Sequence, residues 1–307
     1  MARGIFMKSL SGEGFLGLAR FRLVALDDAI LPPFTSRTWK SVLWRSKCLS
    51  DVYKLYESRE RFKPVTIRVL KTTSGRPLYR VADGRDRPIT VSRGHELLAE
   101  LGFAGNNVFQ TITSAVTCSE EVDVEYARFI IEPIDLETRM VHTLNYEDFE
   151  RVVIDIVTPM TISTKIMSPP VRAEKLSTII SRTREAYRLL PTPSYILSQA
   201  AREWIALIRG SEPNTDPIPY AIGRLADVMV AEVHFDLKPT TVLYGKENGK
   251  EARVRGVRGR IVLEPLNSSI KPAIHRLLTL ASYIGLGKSR SIGFGEVRVS
   301  FRRESSQ

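Results

Sequence analysis

The chain has 307 residues, enough for one large domain or two of ordinary size, and 43% of them are hydrophobic, so a substantial core can form. Its 45 Lys and Arg exceed its 34 Asp and Glu by eleven, a balance that favours an anionic partner, of which nucleic acid is the commonest. No apolar run approaches the roughly 20 residues of a membrane span, and the first residues carry no secretory core.

The elements are read in chain order from periodicity and from breaker residues. Residues 1–14 read as a flexible lead and residues 15–26 as a strand with Arg20 and Arg22 on one side. After Pro32-Pro33, Ser36 offers an N-cap for one helix to about Glu57. That helix is apolar on Trp39, Val42, Leu43, Leu49, Val52 and Tyr56, and Lys40, Lys47 and Lys54 fall seven apart on one stripe. A hairpin is predicted around Ser74-Gly75, a short helix over 94–101, and strands over 108–117 and 122–134. Strand, helix, two strands, helix, strand is the ferredoxin-like order.

The second half starts over. A β-branched strand over 151–158 ends at Pro159, and a Pro/Ser-rich stretch leads to helices over 172–190 and 194–209. Strands follow at 228–237, 240–244 and 254–263, then a helix over 270–283 and a last strand. On that strand Val297, Val299 and Phe301 share one face, and Glu296, Arg298, Ser300 and Arg302 share the other. The expected architecture is α+β, a tandem of ferredoxin-like domains over 1–145 and 146–307, with the boundary near Asn145. Cys48 and Cys118 read as isolated thiols with no metal-ligand cluster, which fits a reducing cytoplasm. No metal or cofactor is expected.

Two elements concentrate positive charge. Between the last helix and strand lies Gly285-Leu286-Gly287-Lys288-Ser289-Arg290-Ser291-Ile292-Gly293-Phe294-Gly295. Glycine permits positive φ, and a basic glycine-rich loop can wrap phosphates with its N–H groups. It is not a phosphate-binding Walker loop: Ser282 stands where that motif needs glycine, and helix precedes strand. A dinucleotide fingerprint fails at Arg290 and Arg298. The second element, 246–260, carries Lys246, Lys250, Arg253, Arg255, Arg258 and Arg260 around a hairpin tip over 247–250. An arginine-lined strand suits phosphates because each guanidinium grips two oxygens.

Two Gly-apolar-Gly triplets five residues apart, just before a final strand, resemble the C-terminal signature of the CRISPR repeat-processing endoribonucleases of the repeat-associated (RAMP) superfamily. Val153-Ile154-Asp155-Ile156-Val157-Thr158-Pro159 resembles that family's Thr-Pro strand, the stretch 176–190 with Arg182, Arg184 and Arg188 its next segment, and Arg255-Gly256-Val257-Arg258-Gly259-Arg260-Ile261 its basic strand. The resemblance covers about residues 150–302.

The resemblance implies two ferredoxin-like domains and a single cut in the repeat of precursor CRISPR RNA (crRNA). The cut would be made without metal, by attack of the ribose 2′-OH, leaving a 2′,3′-cyclic phosphate and a 5′-OH. It further implies RNA contacts at Arg253, Arg255 and Arg258 and at the loop residues Gly285, Gly287, Lys288, Arg290, Gly293 and Gly295. A CRISPR effector complex or a homodimer are the implied assemblies.

Many members place a histidine on or after the first helix, whereas residues 34–68 here contain none. Of the four histidines, His95 and His234 read as structural or exposed, His142 lies near the interdomain link, and His275 stands roughly three turns before the loop. The acid–base candidates are therefore Lys40, Lys47, Lys63 and His275, with Lys54 and Tyr53 as further candidates. Lys63 is the positional match to a lysine at the start of the family's second strand. The alternative is a non-catalytic RNA-binding member of the superfamily.

Overall fold

The structure is a computed structural model that describes residues 10–82, 88–144, 146, 148–170, 174–247 and 250–303. Two antiparallel sheets form its frame. The first joins β1 (Phe15–Ala25), β3 (Val65–Ile67), β6 (Glu96–Gly105), β7 (Glu120–Val124) and β8 (Ala127–Met140) in the order β3-β6-β1-β8-β7, with β4 (Lys71–Thr72) also on β6. β2 (Ala29–Leu31) and β5 (Ile89–Val91) pair separately. Helices α1 (Ser36–Arg45), α2 (Ser50–Glu57) and α3 (Phe109–Ala115) belong to this half.

The second sheet runs β12-β13-β9-β14, from β9 (Arg151–Met160), β12 (Val230–Glu247), β13 (Lys250–Pro265) and β14 (Val297–Arg302). Its helices are α4 (Glu174–Arg182), α5 (Pro193–Leu207), α6 (Ile218–Met229) and α7 (Lys271–Ile284), with a small pair of β10 (Ile162–Ser163) and β11 (Tyr187–Arg188). In both sheets the first strand of the half lies between the third and the last, which is the ferredoxin-like order, so the chain is a tandem of two such layers. No helix among the described residues is long and apolar enough to cross a membrane.

Several elements differ from the sequence reading. The expected helix over 94–101 is the strand β6, and the expected strand over 108–117 contains α3. β6 is nearly all buried and paired on both sides, so position overrides the helix preference of Leu, Ala and Glu. In α3 and its flank the buried residues are Val108, Ile112 and Ala115, a helical spacing that the β-branched composition obscured. The strand expected over 122–134 is split into β7 and β8 around Glu125-Tyr126. The helix over 172–190 stops at Arg182. α6 has no counterpart in the reading, and it delays the next strand to Val230.

The single helix expected over 36–57 is two. The break falls at Ser46, whose Oγ accepts from the Leu49 N–H at 2.9 Å in the turn between the two helices, while Ser36 sits inside α1 and donates to the Ile292 carbonyl at 2.7 Å. Cys48 and Cys118 are not isolated thiols: they form a disulfide, 5.7 Å between Cα atoms, that ties this break to the segment before β7. Glu120 lies within 4.8 Å of both sulfurs, so the cysteines do enter a ligand-type cluster, but with their sulfurs bonded to each other. The lead is anchored at its end, since Leu10 is buried and its carbonyl accepts from Arg276. Its first nine residues, the boundary residue Asn145 and the hairpin-tip residues Asn248 and Gly249 lie outside the described residues.

The two layers meet over buried charge. Lys71 Nζ lies 2.6 Å from Glu296 Oε1 and also contacts Glu100, and Arg68 Nη1 lies 3.1 Å from Glu100 Oε2. Arg68 Nη2 further donates to the Ser282 and Tyr283 carbonyls at the end of α7. Glu296, on the polar face of the last strand's pattern, is 3% exposed because this network takes it in. Burial alone would raise the Glu100 carboxyl, but Arg68 and Lys71 outweigh it and hold it at about 2. A depressed carboxyl contributes stability that is present above its ordinary value of 4.5 and is lost as pH falls towards about 2. Thermal melts should therefore show stability falling across that window. Glu100→Gln should flatten the fall and cost roughly 3–5 kcal/mol at neutral pH, by leaving Lys71 and Arg68 undercompensated. An unchanged acid profile in the variant would refute the assignment.

Candidate functional site

All four glycines of the loop have positive φ: Gly285 at 81°, Gly287 at 89°, Gly293 at 97° and Gly295 at 64°. Two of them also have no room for a side chain. A Cβ on Gly295 would stand 1.8 Å from the Leu286 carbonyl oxygen, and one on Gly287 would stand 2.3 Å from that of Thr161. The apolar residues between the glycines are plugs. Leu286 is buried in the core of the second layer, and Phe294 stacks on Phe34 with ring centroids 4.3 Å apart.

The loop is fastened to the Thr-Pro strand. Thr158 Oγ1 donates to the Gly293 carbonyl at 2.8 Å and accepts from the Glu296 N–H at 2.9 Å. Gly295 N–H donates to the Pro159 carbonyl, Lys288 N–H to that of Thr161, and Leu286 N–H to that of Gly295. These N–H groups are spent inside the protein, so they are not open to a phosphate. What it presents is its tip, the exposed Lys288 and Ser289.

That tip faces a cleft of about 790 Å³ between the two halves. Arg61, Phe62 and Lys63, on the approach to β3, supply one wall; Lys165, Arg202 and the loop supply others. Lys288 Nζ contacts the Tyr187 hydroxyl, lies 3.2 Å from Glu185 Oε2, and sits 4.8 Å from the centroid of the Tyr187 ring. The hydrogen bond with Tyr187, followed by Glu185, raises the Lys288 ammonium above its usual range. The Tyr187 hydroxyl and then the Lys288 ammonium lower the Glu185 carboxyl. Burial, with repulsion from Arg61, lowers the Arg202 guanidinium.

The structure sorts the sequence candidates. Lys63, Gly287, Lys288 and Arg290 come together in this cleft. Gly285, Gly293 and Gly295 are buried and shape the loop from behind. Arg290 is not a free cation: it is 6% exposed, and its Nη2 holds Glu203 Oε2 at 2.7 Å and the Lys63 carbonyl at 2.8 Å. Lys40 lines a different cavity and pairs with Glu57 at 2.7 Å, and Lys54 pairs with Asp51. Lys47 is exposed at the break between α1 and α2, so the expected lysine stripe does not exist.

His275 is 8% exposed, packs 4.7 Å from the Phe301 ring, and lines the cavity of Arg20, Glu137 and Arg298 instead. Of the basic strand, Arg253, Arg255 and Arg258 are exposed, with Arg253 paired to Glu251 and Arg258 donating to Tyr79. The reading missed Arg61, Lys165, Arg202, Glu185 and Tyr187. Only Lys165 carried a signal, as the first cation after the Thr-Pro strand.

Two sequence-family models match the chain, the Cas6 N-terminal domain over residues 18–138 and the CRISPR-associated endoribonuclease Cas6 over residues 154–297. Two CRISPR-associated endoribonucleases from Saccharolobus solfataricus, Cas6 1 and Cas6 2, are each 27% identical to it. The first is aligned over 93% of this chain and 97% of its own length, the second over 92% and 95%. Among solved structures, a Cas6 product complex superposes with a TM-score of 0.61 at 17% identity, over 93% of this chain and all of that one. The Thermus thermophilus Cas6 does so with 0.58 at 17% identity, over 94% of this chain and all of its own. These likenesses bear on the fold.

The two loop cations should separate in mutagenesis. Arg290→Ala removes the guanidinium paired with the buried Glu203 carboxylate and leaves Gln199 donating to it, so denaturant unfolding should show a loss of roughly 3–5 kcal/mol. Lys288→Ala, at the exposed tip, should stay within about 0.5 kcal/mol of the parent. Equal stability of the two variants would contradict the buried pair.

Proposed function

The chain belongs to the Cas6 family of CRISPR-associated endoribonucleases, and on that premise we propose that it cuts the repeat of precursor CRISPR RNA in the cleft between its two layers. The observation that carries the proposal is the meeting of Lys63, from the first layer, with Lys288 and Ser289 of the glycine loop. Solved neighbours bound to product and to a substrate mimic support a nucleic-acid ligand for this fold.

The reaction is a transesterification. The ribose 2′-oxygen bonds to the adjacent phosphorus, the bond from phosphorus to the 5′-oxygen breaks, the 2′ proton leaves to a base, and the 5′-oxygen takes a proton. The products are a 2′,3′-cyclic phosphate and a 5′-OH. Lys63 and Lys288 are placed to stabilise the charge that gathers on the phosphorane oxygens, and Arg61, Lys165 and Arg202 to hold the flanking strand. No histidine lines the cleft, so this reading rests on charge and position more than on a proton shuttle. The same reading divides the chain at residues 1–145 and 146–307, a boundary that falls between the two family matches.

The absence of a cleft histidine also motivates a second reading, an RNA-binding member that does not cut. Incubating the protein with repeat RNA in EDTA separates the two. Cleavage with cyclic-phosphate ends is expected, and tight binding to RNA that stays intact would favour the second reading. Lys63→Ala should lower the single-turnover rate about 10²–10³-fold, while His275→Ala, outside the cleft, should leave the chemical step unchanged.

A further inference from the structure

The chain has three tryptophans, and two of them, Trp39 and Trp204, are fully buried, whereas Trp44 is 58% exposed. A single exposed indole carries no argument by itself, but its surroundings do. Arg37, Lys40 with Ser41, and Trp44 follow one another at helical spacing along the outer stripe of α1, opposite the buried Trp39, Val42 and Leu43. Across from this stripe, Tyr244 of β12 and Tyr53 of α2 complete a cavity of about 450 Å³. The Arg45 guanidinium carbon lies 4.4 Å from the indole centroid, and that of Arg37 lies 5.7 Å from the Tyr244 ring.

Three aromatic rings beside Arg37, Lys40 and Arg45 match a flat base attached to phosphates better than they match an apolar protein surface. The helix that carries the stripe is also tied to the glycine loop. Ser36, the first residue of α1, is hydrogen-bonded to Ile292, and Trp44 lies eight residues on, about 12 Å along the helix.

We propose that Trp44 is a stacking platform for an unpaired nucleobase of bound RNA, with Arg37 and Arg45 holding the phosphates beside it. The proposal rests on the RNA-processing reading above and adds a second contact point outside the cleft. Because the other two tryptophans are buried, quenching of intrinsic fluorescence reports on Trp44. A short single-stranded RNA of mixed sequence should quench the emission and shield it from acrylamide. Trp44→Ala should weaken binding about tenfold without changing its dependence on salt, since stacking releases no counterions. Trp44→Phe should restore most of the affinity, and Arg45→Ala should make the salt dependence shallower. RNA that binds the parent and Trp44→Ala equally well, with emission unchanged, would overturn the platform and leave the cleft reading intact. Failure of the parent to bind any RNA by anisotropy would overturn both.

Discussion

The arrangement of this molecule depends on four charges that are largely withdrawn from water. Lys71, Glu296, Arg68 and Glu100 are all at most 9% exposed, and they lie where the first layer meets the beginning of the last strand of the second. Removing several charges from water is costly, and the cost is offset only when each finds its partners at close range. Each layer supplies part of the set, so neither can shift along the other without exposing an unpaired charge. Glu296 follows Gly295 directly, which means the network grips the end of the glycine loop. The buried Arg290–Glu203 pair grips its middle and, through the Lys63 carbonyl, the approach to β3. The separation of Lys63 and Lys288 across the cleft is thus set by buried electrostatics at two points.

This arrangement also shows why the fold was more legible than the site. In the second layer β9, β13 and β14 carry period-two or β-branched patterns and α7 carries period 3.6, so these could be read, whereas α6 was missed and β12 was read as two strands. In the first layer the reading exchanged β6 for a helix and α3 for a strand, because local preference there is overridden by burial on both faces of β6. Nothing local marks Glu296 as buried, since its neighbours alternate as an edge strand should. The partners of Cys48 and Arg290, at positions 118 and 203, are likewise set only by the tertiary fold. Lys63 was found by position and Lys288 by its loop, but the Glu185–Tyr187 contact depends on a pairing of β10 with β11 that has no periodic signature.

The distribution of polar groups shapes the chemistry that the cleft can support. Its lysines and arginines approach from several elements, while the one buried histidine is sequestered beside Phe301 in another cavity. On the proposed reading, such a site would act by holding a phosphodiester rigidly and by meeting negative charge as it develops. Glu185 already occupies Lys288, so a phosphate seated there would exchange with a carboxylate instead of meeting a bare ammonium.

A glycine-rich segment is ordinarily the part of a protein that must be ordered before it can grip anything. Here the hydroxyl of Thr158, the carbonyls of Pro159 and Thr161, and the plugs Leu286 and Phe294 have made it part of the core. A ligand that seats on Lys288 and Ser289 therefore meets a surface whose conformational entropy was surrendered when the chain folded. Freezing a loop on association weakens a complex and can slow its formation. The backbone part of that penalty is reduced here, and what remains at the tip is the release of Lys288 from Glu185.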